Sequence, residues 1–290
     1  MATPTSVEAL APGDHACLTF SDPDERLDIV AAFVQDGLGR GHKVMAFTES
    51  IAPERLSLEL TDRGIPVEEK LADGQLAVFT SDESWLAGGE PTAEGMIDLL
   101  ARHVDRASRE GYAGLRVTAD MCWATRPGAR AEQLPIFEAE VGELFADGRL
   151  TAICQYDRQS FDAVTLAFAT ASHAYLVAAV VYHEDPVLRI CRQHRPPGIR
   201  LAGEIDYTHA DKLALALSEA ARLDRDVQVN LAKLRFMDAA AATTIVRGAL
   251  SLPPGRVLNV VCGGAVYRML RLVGASEVPT LRVTRTHGEL

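Results

Sequence analysis

The chain has 290 residues, with 29 Lys and Arg against 40 Asp and Glu and a net charge of −11. This length predicts about two domains, and a hydrophobic content of 48% is enough for packed cores. From Gly198 onward there are 12 basic and 9 acidic residues, so the acidic excess precedes that point. Phosphate binding needs clustered cations, which excludes nucleic-acid binding by the first part and argues against it in the second.

The N-terminus and the cysteines indicate the compartment. Met1–Pro4 show neither the basic nor the apolar region of a signal peptide. The most apolar run, Tyr175–Tyr182, is too short to span a membrane. Five widely spaced cysteines, an odd number, fit reduced thiols better than a disulfide framework. We therefore expect a cytoplasmic protein with no membrane partner.

Strand-like and helix-like segments alternate through the first part. Apolar residues recur at helical spacing over Asp24–Arg40, and Gly39-Arg40-Gly41 suits a helix C-terminus. This alternation predicts a mainly parallel α/β sheet covered on both faces. Strands are predicted at Ala16–Phe20, Val44–Thr48, Leu76–Phe79, Leu115–Ala119, Thr151–Gln155 and Tyr175–Tyr182, and further helices at Pro53–Arg63, Thr92–Glu110, Gln133–Asp147 and Ser160–Ala171.

The loop Ser21–Arg26 lies where RecA-like and KaiC-like ATPases carry their phosphate-binding loop. A P-loop needs Gly residues whose backbone N–H groups close around phosphates, followed by Lys and Ser or Thr. This loop has no Gly, no Lys and three carboxylates. The opening of the chain therefore resembles a KaiC/RecA-like fold with a degenerate P-loop. We expect no ATP hydrolysis, and leave open whether the loop binds a nucleotide.

Four further segments carry a second resemblance. They are Gly13–Cys17 with Phe20, Gly37–Val44, Arg116–Trp123 and Cys154–Arg158, and His173 follows after a helix. Together they resemble the MEDS domain, a sensory module of methanogen, methylotroph and DcmR regulators, over roughly Gly13–Val181. The resemblance implies a KaiC-like fold that senses small molecules such as hydrocarbon derivatives. We assign residues 10–183 to this domain.

The candidate ligand site follows from the expected sheet, because parallel α/β sheets bind ligands beyond the carboxyl ends of their strands. Polar and aromatic residues on or after three strands are expected to converge on one cleft that suits a small, partly apolar ligand. The alternative is that the cysteines and aromatic residues only pack in the core. The candidate ligand-binding residues are His15, Cys17, Asp120, Trp123, Tyr156 and Arg158.

Metal binding and catalysis are weaker alternatives for the same segments. His15 and Cys17 could join Cys122, Cys154 or His173 as soft ligands of zinc or iron. No CxxC or HxxxH pair exists, so we predict no metal site and leave the cofactor unknown. A Cys nucleophile beside a His base lacks a recognisable third group. We predict no enzyme; the alternative is a small-molecule or metal-binding enzyme built on the first domain.

The second part is expected to begin after the polar break His183–Pro186. Pro196-Pro197-Gly198 is predicted to join two strands, and Thr208 is predicted to cap a helix with Asp211 three residues later. Asp238 is placed to cap the helix that follows it. Predicted elements are strands Val187–Gln193, Ile199–Ile205, Val227–Leu231, Arg256–Val261 and Leu281–Val283, and helices Thr208–Leu223, Ala239–Leu250 and Val266–Val273.

Segments Leu201–Asp206, Val227–Leu231 and Phe236–Ala241 together resemble the STAS domain of anti-sigma factor antagonists, and we assign residues 186–290 to it. In that family a phosphorylatable Ser or Thr follows the Asp of the last motif. Here that position is Ala239, which has no hydroxyl, and Asn230 replaces an acidic residue often found at its strand end. Thr243 and Thr244 lie one turn on; we favour ordinary helix residues, and their phosphorylation is left open.

The two resemblances together imply a non-enzymatic bacterial signalling regulator of transcription. Its partner would be an anti-sigma factor of the serine-kinase type or another STAS-binding regulator, with a small-molecule ligand in the first domain. A competitor that binds a partner without any ligand is a third interpretation. Ligand, partner, direction of signalling and homo-oligomer formation are left open. The predicted docking residues are Thr208, Asp211, Asp238, Ala239 and Thr243.

Overall fold

The computed structural model describes residues 2–286, and the chain divides into two compact units, Met1–Ala178 and Ala179–Leu290. The predicted strand Tyr175–Tyr182 is in fact two strands. Tyr175–Val177 belongs to the sheet of the first unit, and Val181–Glu184 belongs to the sheet of the second. The boundary between the two units therefore precedes His183–Pro186. An apolar run by itself does not show whether it forms one strand or two.

The first unit is an α/β unit, as predicted. Its helices α2 and α3 follow one another directly, and the other long connections each carry one helix. Its elements are β1 (Thr3–Thr5), β2 (His15–Phe20), α1 (Pro23–Gly39), β3 (Lys43–Thr48), α2 (Pro53–Asp62), α3 (Val67–Ala72), β4 (Leu76–Thr80), α4 (Ala93–Arg109), β5 (Leu115–Asp120), α5 (Gln133–Glu140), β6 (Leu150–Asp157), α6 (Ala163–Ser172) and β7 (Tyr175–Val177).

All seven strands of this first sheet run parallel, in the order β1-β7-β2-β6-β5-β3-β4. The central strands are buried along almost their whole length, as expected when helices cover both faces. Side chains alternate between the faces, so Val117 and Ala119 of β5 enter one apolar core while Arg116 and Thr118 point to the other face. This alternation decides which site residues can meet.

The second unit contains a six-stranded mixed sheet in the order β13-β12-β11-β10-β9-β8. The predicted turn at Pro196-Pro197-Gly198 does join two antiparallel strands. Its elements are β8 (Val181–Glu184), β9 (Leu188–Gln193), β10 (Gly198–Ile205), α7 (Ala210–Leu223), β11 (Val227–Met237), α8 (Ala239–Leu250), β12 (Leu258–Cys262), α9 (Gly264–Leu272) and β13 (Leu281–Arg285).

Two local predictions in this unit were wrong. Helix α7 begins at Ala210, not Thr208, because Asp206 accepts the Thr208 amide and starts a short 3-10 turn over Tyr207–His209. Strand β11 continues past Leu231 to Met237. Its exposed positions interrupt the apolar pattern, so the sequence indicated an end where the strand only becomes half-buried.

Cys17, Cys122, Cys154 and Cys262 are buried and form no disulfide in the part of the chain that the structure describes. Among residues 2–286, the structure has no helix with both the length and the apolar character needed to cross a membrane.

Candidate functional site

The most concentrated group of reactive side chains lies inside the first unit. His15 begins β2, Cys154 lies on the adjacent strand β6, Glu138 projects from α5, and His173 directly follows α6. We call these four residues the buried cluster. Glu138 and His173 are each 3% exposed, and His15 is the most accessible member, with 11% of its side chain exposed. The fold thus brings together three residues that sequence reasoning had singled out and one that it had not.

The atoms of the buried cluster lie at hydrogen-bonding or ion-pair distance from one another. His15 Nε2 is 3.3 Å from Cys154 Sγ and 3.5 Å from Glu138 Oε2. His173 Nε2 is 3.3 Å from the same Oε2 atom. The two imidazole rings are tilted against each other with centroids 4.0 Å apart, and Phe145 stacks on the ring of His15. The aromatic contacts fix where His15 Nε2 points.

Hydrogen bonds outside the buried cluster orient two of its members. His173 Nδ1 lies 2.7 Å from the Ala169 carbonyl oxygen, which only accepts, so Nδ1 carries the proton and donates it. The Tyr156 hydroxyl donates to Glu138 Oε1. The other two atoms, His173 Nε2 and Glu138 Oε2, are buried without a hydrogen-bond partner among the described residues. Such unsatisfied atoms are uncommon in native interiors and require a physical explanation.

Burial keeps His15, Cys17 and Cys154 in their neutral forms. Desolvation, reinforced by the neighbouring His173, lowers the pKa of His15 well below its usual value. Desolvation and then the charge of Glu138 raise the pKa of Cys154 well above that of an exposed thiol. The same two causes raise the pKa of Cys17 to about 12. At neutral pH, therefore, His15 is a neutral imidazole and both cysteines are thiols, which argues against a ready thiolate nucleophile.

The structure does not gather the six predicted ligand-binding residues around one cleft, and a ligand-binding role for them stays a prediction. Cys17, Trp123 and Tyr156 belong to one apolar core, while Asp120 faces the opposite side of the sheet. Trp123 is fully buried, and Arg158 is exposed at the end of β6, where it donates to Thr19 Oγ1. His15 begins its strand rather than ending it. The alternation of side chains along β5 and β6 separates the residues that the motifs place together.

Asp120 is the centre of a buried polar network. Its Oδ2 atom accepts from Arg26 Nη2 at 2.7 Å and from the backbone N–H and hydroxyl of Ser50, at 2.9 and 2.5 Å. Arg26 also donates to Gln155 Oε1, and Gln155 donates to Thr118. Burial disfavours the Asp120 carboxylate, yet Arg26 and Ser50 hold its pKa below the usual value. The charged groups of this network are hydrogen-bonded to one another and to neighbouring residues, as in an ion pair with a structural role.

The loop at the start of α1 differs from a phosphate-binding loop in its use of backbone N–H groups. Asp22 caps the helix, and its Oδ1 atom accepts from the amides of Asp24 and Glu25 at 2.9 and 3.3 Å. In a P-loop, free amides at a helix N-terminus receive the phosphates. Here a carboxylate of the chain itself receives two of them. This geometry accords with the degenerate loop that the sequence indicates.

In the second unit, Asp238 links two segments of the surface. Its Oδ1 atom accepts from the amide of Ala241 at 2.8 Å and thereby caps α8, as predicted. Its Oδ2 atom accepts from the amide of Tyr207 at 2.8 Å. Ala239 is exposed at the first position of α8. One carboxylate therefore fixes the start of α8 against the 3-10 turn before α7.

The segments that Asp238 joins or adjoins carry exposed apolar side chains. Tyr207 and Phe236 expose 71% and 50% of their surfaces, and Ala239 and Ala240 are also exposed. We call these four residues and Asp238 the docking surface. The other predicted docking residues are placed differently. The Thr208 hydroxyl donates a hydrogen bond to Asp206, and Asp211 is exposed in the first turn of α7. The Thr243 hydroxyl donates a hydrogen bond to the Ala239 carbonyl.

Sequence reasoning missed Glu138 and Arg26, although each left a signal. In α5 the buried residues are Leu134, Phe137 and Glu138, so a carboxylate occupies the apolar face of its helix. Arg26 likewise precedes the apolar Leu27 on the buried face of α1. An ionisable residue at such a position is almost never fully buried unless it is paired. That rule selects both residues but does not identify their partners.

Comparison with known proteins assigns the first unit. A family model described as "MEDS: MEthanogen/methylotroph, DcmR Sensory domain" matches residues 14–174. The match covers more than half of the chain, and the chain therefore belongs to the MEDS family. This confirms the resemblance carried by the motifs around His15, Asp120 and Cys154. A search of curated proteins finds no match.

Several solved structures are similar to parts of this chain. A KaiC-like protein from Pyrococcus horikoshii OT3 is 13% identical, with a TM-score of 0.48, and the match covers 67% of this chain and 86% of that one. The flagellar accessory protein FlaH from Methanocaldococcus jannaschii is 10% identical, with a TM-score of 0.41 and coverage of 64% and 80%. An anti-sigma factor antagonist from Mycobacterium paratuberculosis is 20% identical, with a TM-score of 0.28 and coverage of 36% and 84%.

Proposed function

We propose that this MEDS-family chain is a non-enzymatic signalling regulator whose second unit docks a protein partner on the docking surface. The observation that carries the proposal is the environment of Asp238. Its carboxylate holds the Tyr207 turn and the start of α8 together, with the exposed Ala239 between them. An apolar patch on rigid elements, with two aromatic side chains, has the composition of a protein interface.

The proposed partner is an anti-sigma factor of the serine-kinase type or another regulator that recognises STAS domains. This class follows from the resemblance of Leu201–Ala241 to anti-sigma factor antagonists. Ala239 stands where that family carries the phosphorylatable residue, so docking would not be switched there. The hydroxyls of Thr243 and Thr244 donate to carbonyls one turn back, which supports our view of both as ordinary helix residues. The output would follow the state of the sensory unit instead.

The test compares two glutamate variants at opposite ends of α8. Ala239→Glu adds a charge to the docking surface at a helix N-terminus, where a carboxylate is tolerated well. Leu250→Glu adds the same charge at an exposed position about 16 Å further along the helix. The full-length proteins are used to capture partners from native cytosol, and each partner is identified by mass spectrometry and then purified to measure its Kd.

We expect wild type and Leu250→Glu to retain one kinase-type anti-sigma factor or related regulator. Ala239→Glu should bind the purified partner at least about tenfold more weakly, because the loss of binding free energy at a hot-spot contact often exceeds about 1.4 kcal/mol. Equal affinities of all three proteins would show that the partner binds elsewhere. Retention of no such regulator by wild type would contradict the proposed function.

A further inference from the structure

The four ligating atoms of the buried cluster have the spacing of a metal-coordination shell. His15 Nε2, Glu138 Oε2, Cys154 Sγ and His173 Nε2 all lie within 4.8 Å of one another. Tetrahedral Zn²⁺, with bonds of about 2.0–2.3 Å, sets neighbouring ligand atoms roughly 3.3–3.6 Å apart. Three of the separations in the buried cluster are 3.3, 3.5 and 3.3 Å. The remaining separations are at most 4.8 Å, and side-chain rotation that shortens them would let one ion bind all four atoms.

The unpartnered atoms of the buried cluster point to a cation. His173 Nδ1 donates to the Ala169 carbonyl, so Nε2 is the ring nitrogen that remains for a metal ion. Glu138 Oε2 faces this nitrogen without a hydrogen bond. Two potential ligand atoms, each on a side chain more than nine-tenths buried, therefore face one another 3.3 Å apart. A metal ion at this point would satisfy both atoms.

The outer hydrogen bonds are those expected around metal ligands. A ligating histidine donates its second ring N–H to a carbonyl or carboxylate, and a ligating carboxylate is itself hydrogen-bonded. His173 donates to the Ala169 carbonyl, and Glu138 Oε1 accepts from the Tyr156 hydroxyl. Both ligands are thus held with their free atoms directed into the buried cluster.

The charges of the buried cluster also balance a divalent ion. Binding would displace the Cys154 proton to solvent and leave one thiolate and one carboxylate beside two neutral imidazoles. With M²⁺ the buried site would carry no net charge, which limits the penalty for burying ions in a low-dielectric interior. Thiolate, imidazole and carboxylate are the ligands that Zn²⁺ takes in proteins.

We propose that the buried cluster binds one divalent transition-metal ion of the Zn²⁺ type through His15 Nε2, Glu138 Oε2, Cys154 Sγ and His173 Nε2. The proposal goes beyond partner docking and concerns the sensory unit alone. Four protein ligands leave no open coordination position, as in structural rather than catalytic zinc sites. The partly exposed His15 marks the side from which an ion would reach the site.

A second group of possible ligands must be separated from the first. In the second unit, Asp185 Oδ2 lies 2.9 Å from His183 Nε2 and 3.0 Å from His209 Nε2. This group is partly exposed and contains no cysteine. Metal bound there would lack a sulfur ligand, so a spectroscopic signature of thiolate coordination distinguishes the two locations.

The experiment uses Co²⁺ as the probe and compares two cysteines on neighbouring strands. Cys17 and Cys154 are register partners on β2 and β6, and both are buried thiols. Full-length wild type, Cys17→Ser, Cys154→Ser and His183→Gln are titrated with Co²⁺, and thiolate-to-cobalt charge transfer and the d–d bands of tetrahedral Co²⁺ are recorded. Competition by Zn²⁺ against a chelator gives the affinities. Trp85 and Trp123 lie in the first unit, so tryptophan fluorescence verifies its folding.

We expect one equivalent of tetrahedral Co²⁺ with a charge-transfer band in wild type, Cys17→Ser and His183→Gln. Cys154→Ser should lose that band and bind Zn²⁺ at least 100-fold more weakly, beyond the 10- to 100-fold typical of outer-partner changes. A band that survives in Cys154→Ser, or metal binding without any thiolate band, would overturn the proposal.

A second pair of variants keeps the proposal testable if Cys154→Ser does not fold. His15→Gln changes the most accessible ligand and should weaken Zn²⁺ binding while retaining the thiolate band. Tyr156→Phe removes only the hydrogen bond to Glu138 Oε1 and should weaken binding about 10- to 100-fold. Unchanged affinity in both variants would overturn the assignment of these ligands.

Discussion

At the scale of single residues, the Asp120 network and the buried cluster of the first unit differ in how completely their polar atoms are hydrogen-bonded. The Asp120 network is complete, because each polar atom of the carboxylate has a donor. In the buried cluster, Glu138 Oε2 and His173 Nε2 have no hydrogen-bond partner among the described residues. A satisfied network stabilises one arrangement, whereas unsatisfied buried atoms require an explanation, and a bound ion is one. This contrast separates a structural centre from a candidate binding centre.

Removal of the Asp120 charge should destabilise the first unit strongly. Asp120→Asn leaves the buried Arg26 without its counter-charge, and breaking one partner of a buried pair typically costs about 3–5 kcal/mol. Tryptophan fluorescence during urea unfolding reports this unit, since it contains both tryptophans. The matched control is Asp82→Asn, which breaks an exposed pair with Arg126 and should leave the midpoint unchanged. Equal midpoints for wild type and Asp120→Asn would contradict this view of the network.

The Asp120–Arg26 pair predicts how the stability of the first unit changes with pH. Arg26 and Ser50 hold the folded-state pKa of Asp120 below the unfolded value, despite burial. Its stabilising contribution is therefore fully present above the unfolded pKa and is lost as the pH falls through the folded pKa. The stability difference between wild type and Asp120→Asn should be constant near neutrality and shrink below about pH 3.9, the unperturbed Asp pKa. A difference that grows on acidification would contradict the sign.

At the scale of elements, periodicity predicted the helices and most strands, because the apolar faces of α1, α4 and α7 repeat at helical spacing. Periodicity could not predict which of the candidate ligand-binding residues lie together. The face of the sheet to which a side chain points depends on strand register and on the alternation of side chains. Asp120 and Ala119 are neighbours in the sequence, so Asp120 points to the face opposite the apolar core that contains Ala119. Contacts such as Glu138 with His173 depend on helix placement that the sequence does not encode locally.

Helix α1 offers a matched test of packing against propensity. A Cβ on Gly37 would lie 2.7 Å from Arg116 Cδ and 2.9 Å from Val44 Cγ2, so Gly37→Ala should be destabilising by about 1–3 kcal/mol through overpacking. Gly39 ends the same helix with nothing within 4 Å of such a Cβ. Gly39→Ala should stabilise by about 0.4–1 kcal/mol. Thermal unfolding followed by tryptophan fluorescence measures both changes, and a shift of the same sign in both variants would contradict the packing argument.

At the scale of the whole molecule, the proposed function requires that the state of the first unit changes how strongly the second unit binds a partner. A sensory role requires that occupancy of the site in the first unit changes the affinity of the docking surface for its partner. Such coupling is a free energy, usually about 1–3 kcal/mol, and it acts equally in both directions.

The most direct measurement is the Kd of the purified partner for the full-length protein with and without Zn²⁺, repeated with Cys154→Ser and with His183→Gln. We predict that Zn²⁺ changes the Kd of wild type and His183→Gln by at least about fivefold, the lower limit of typical coupling, and leaves Cys154→Ser unchanged. The same Kd in the loaded and metal-free wild type, with Ala239→Glu still defective, would show docking without metal sensing and would contradict the account.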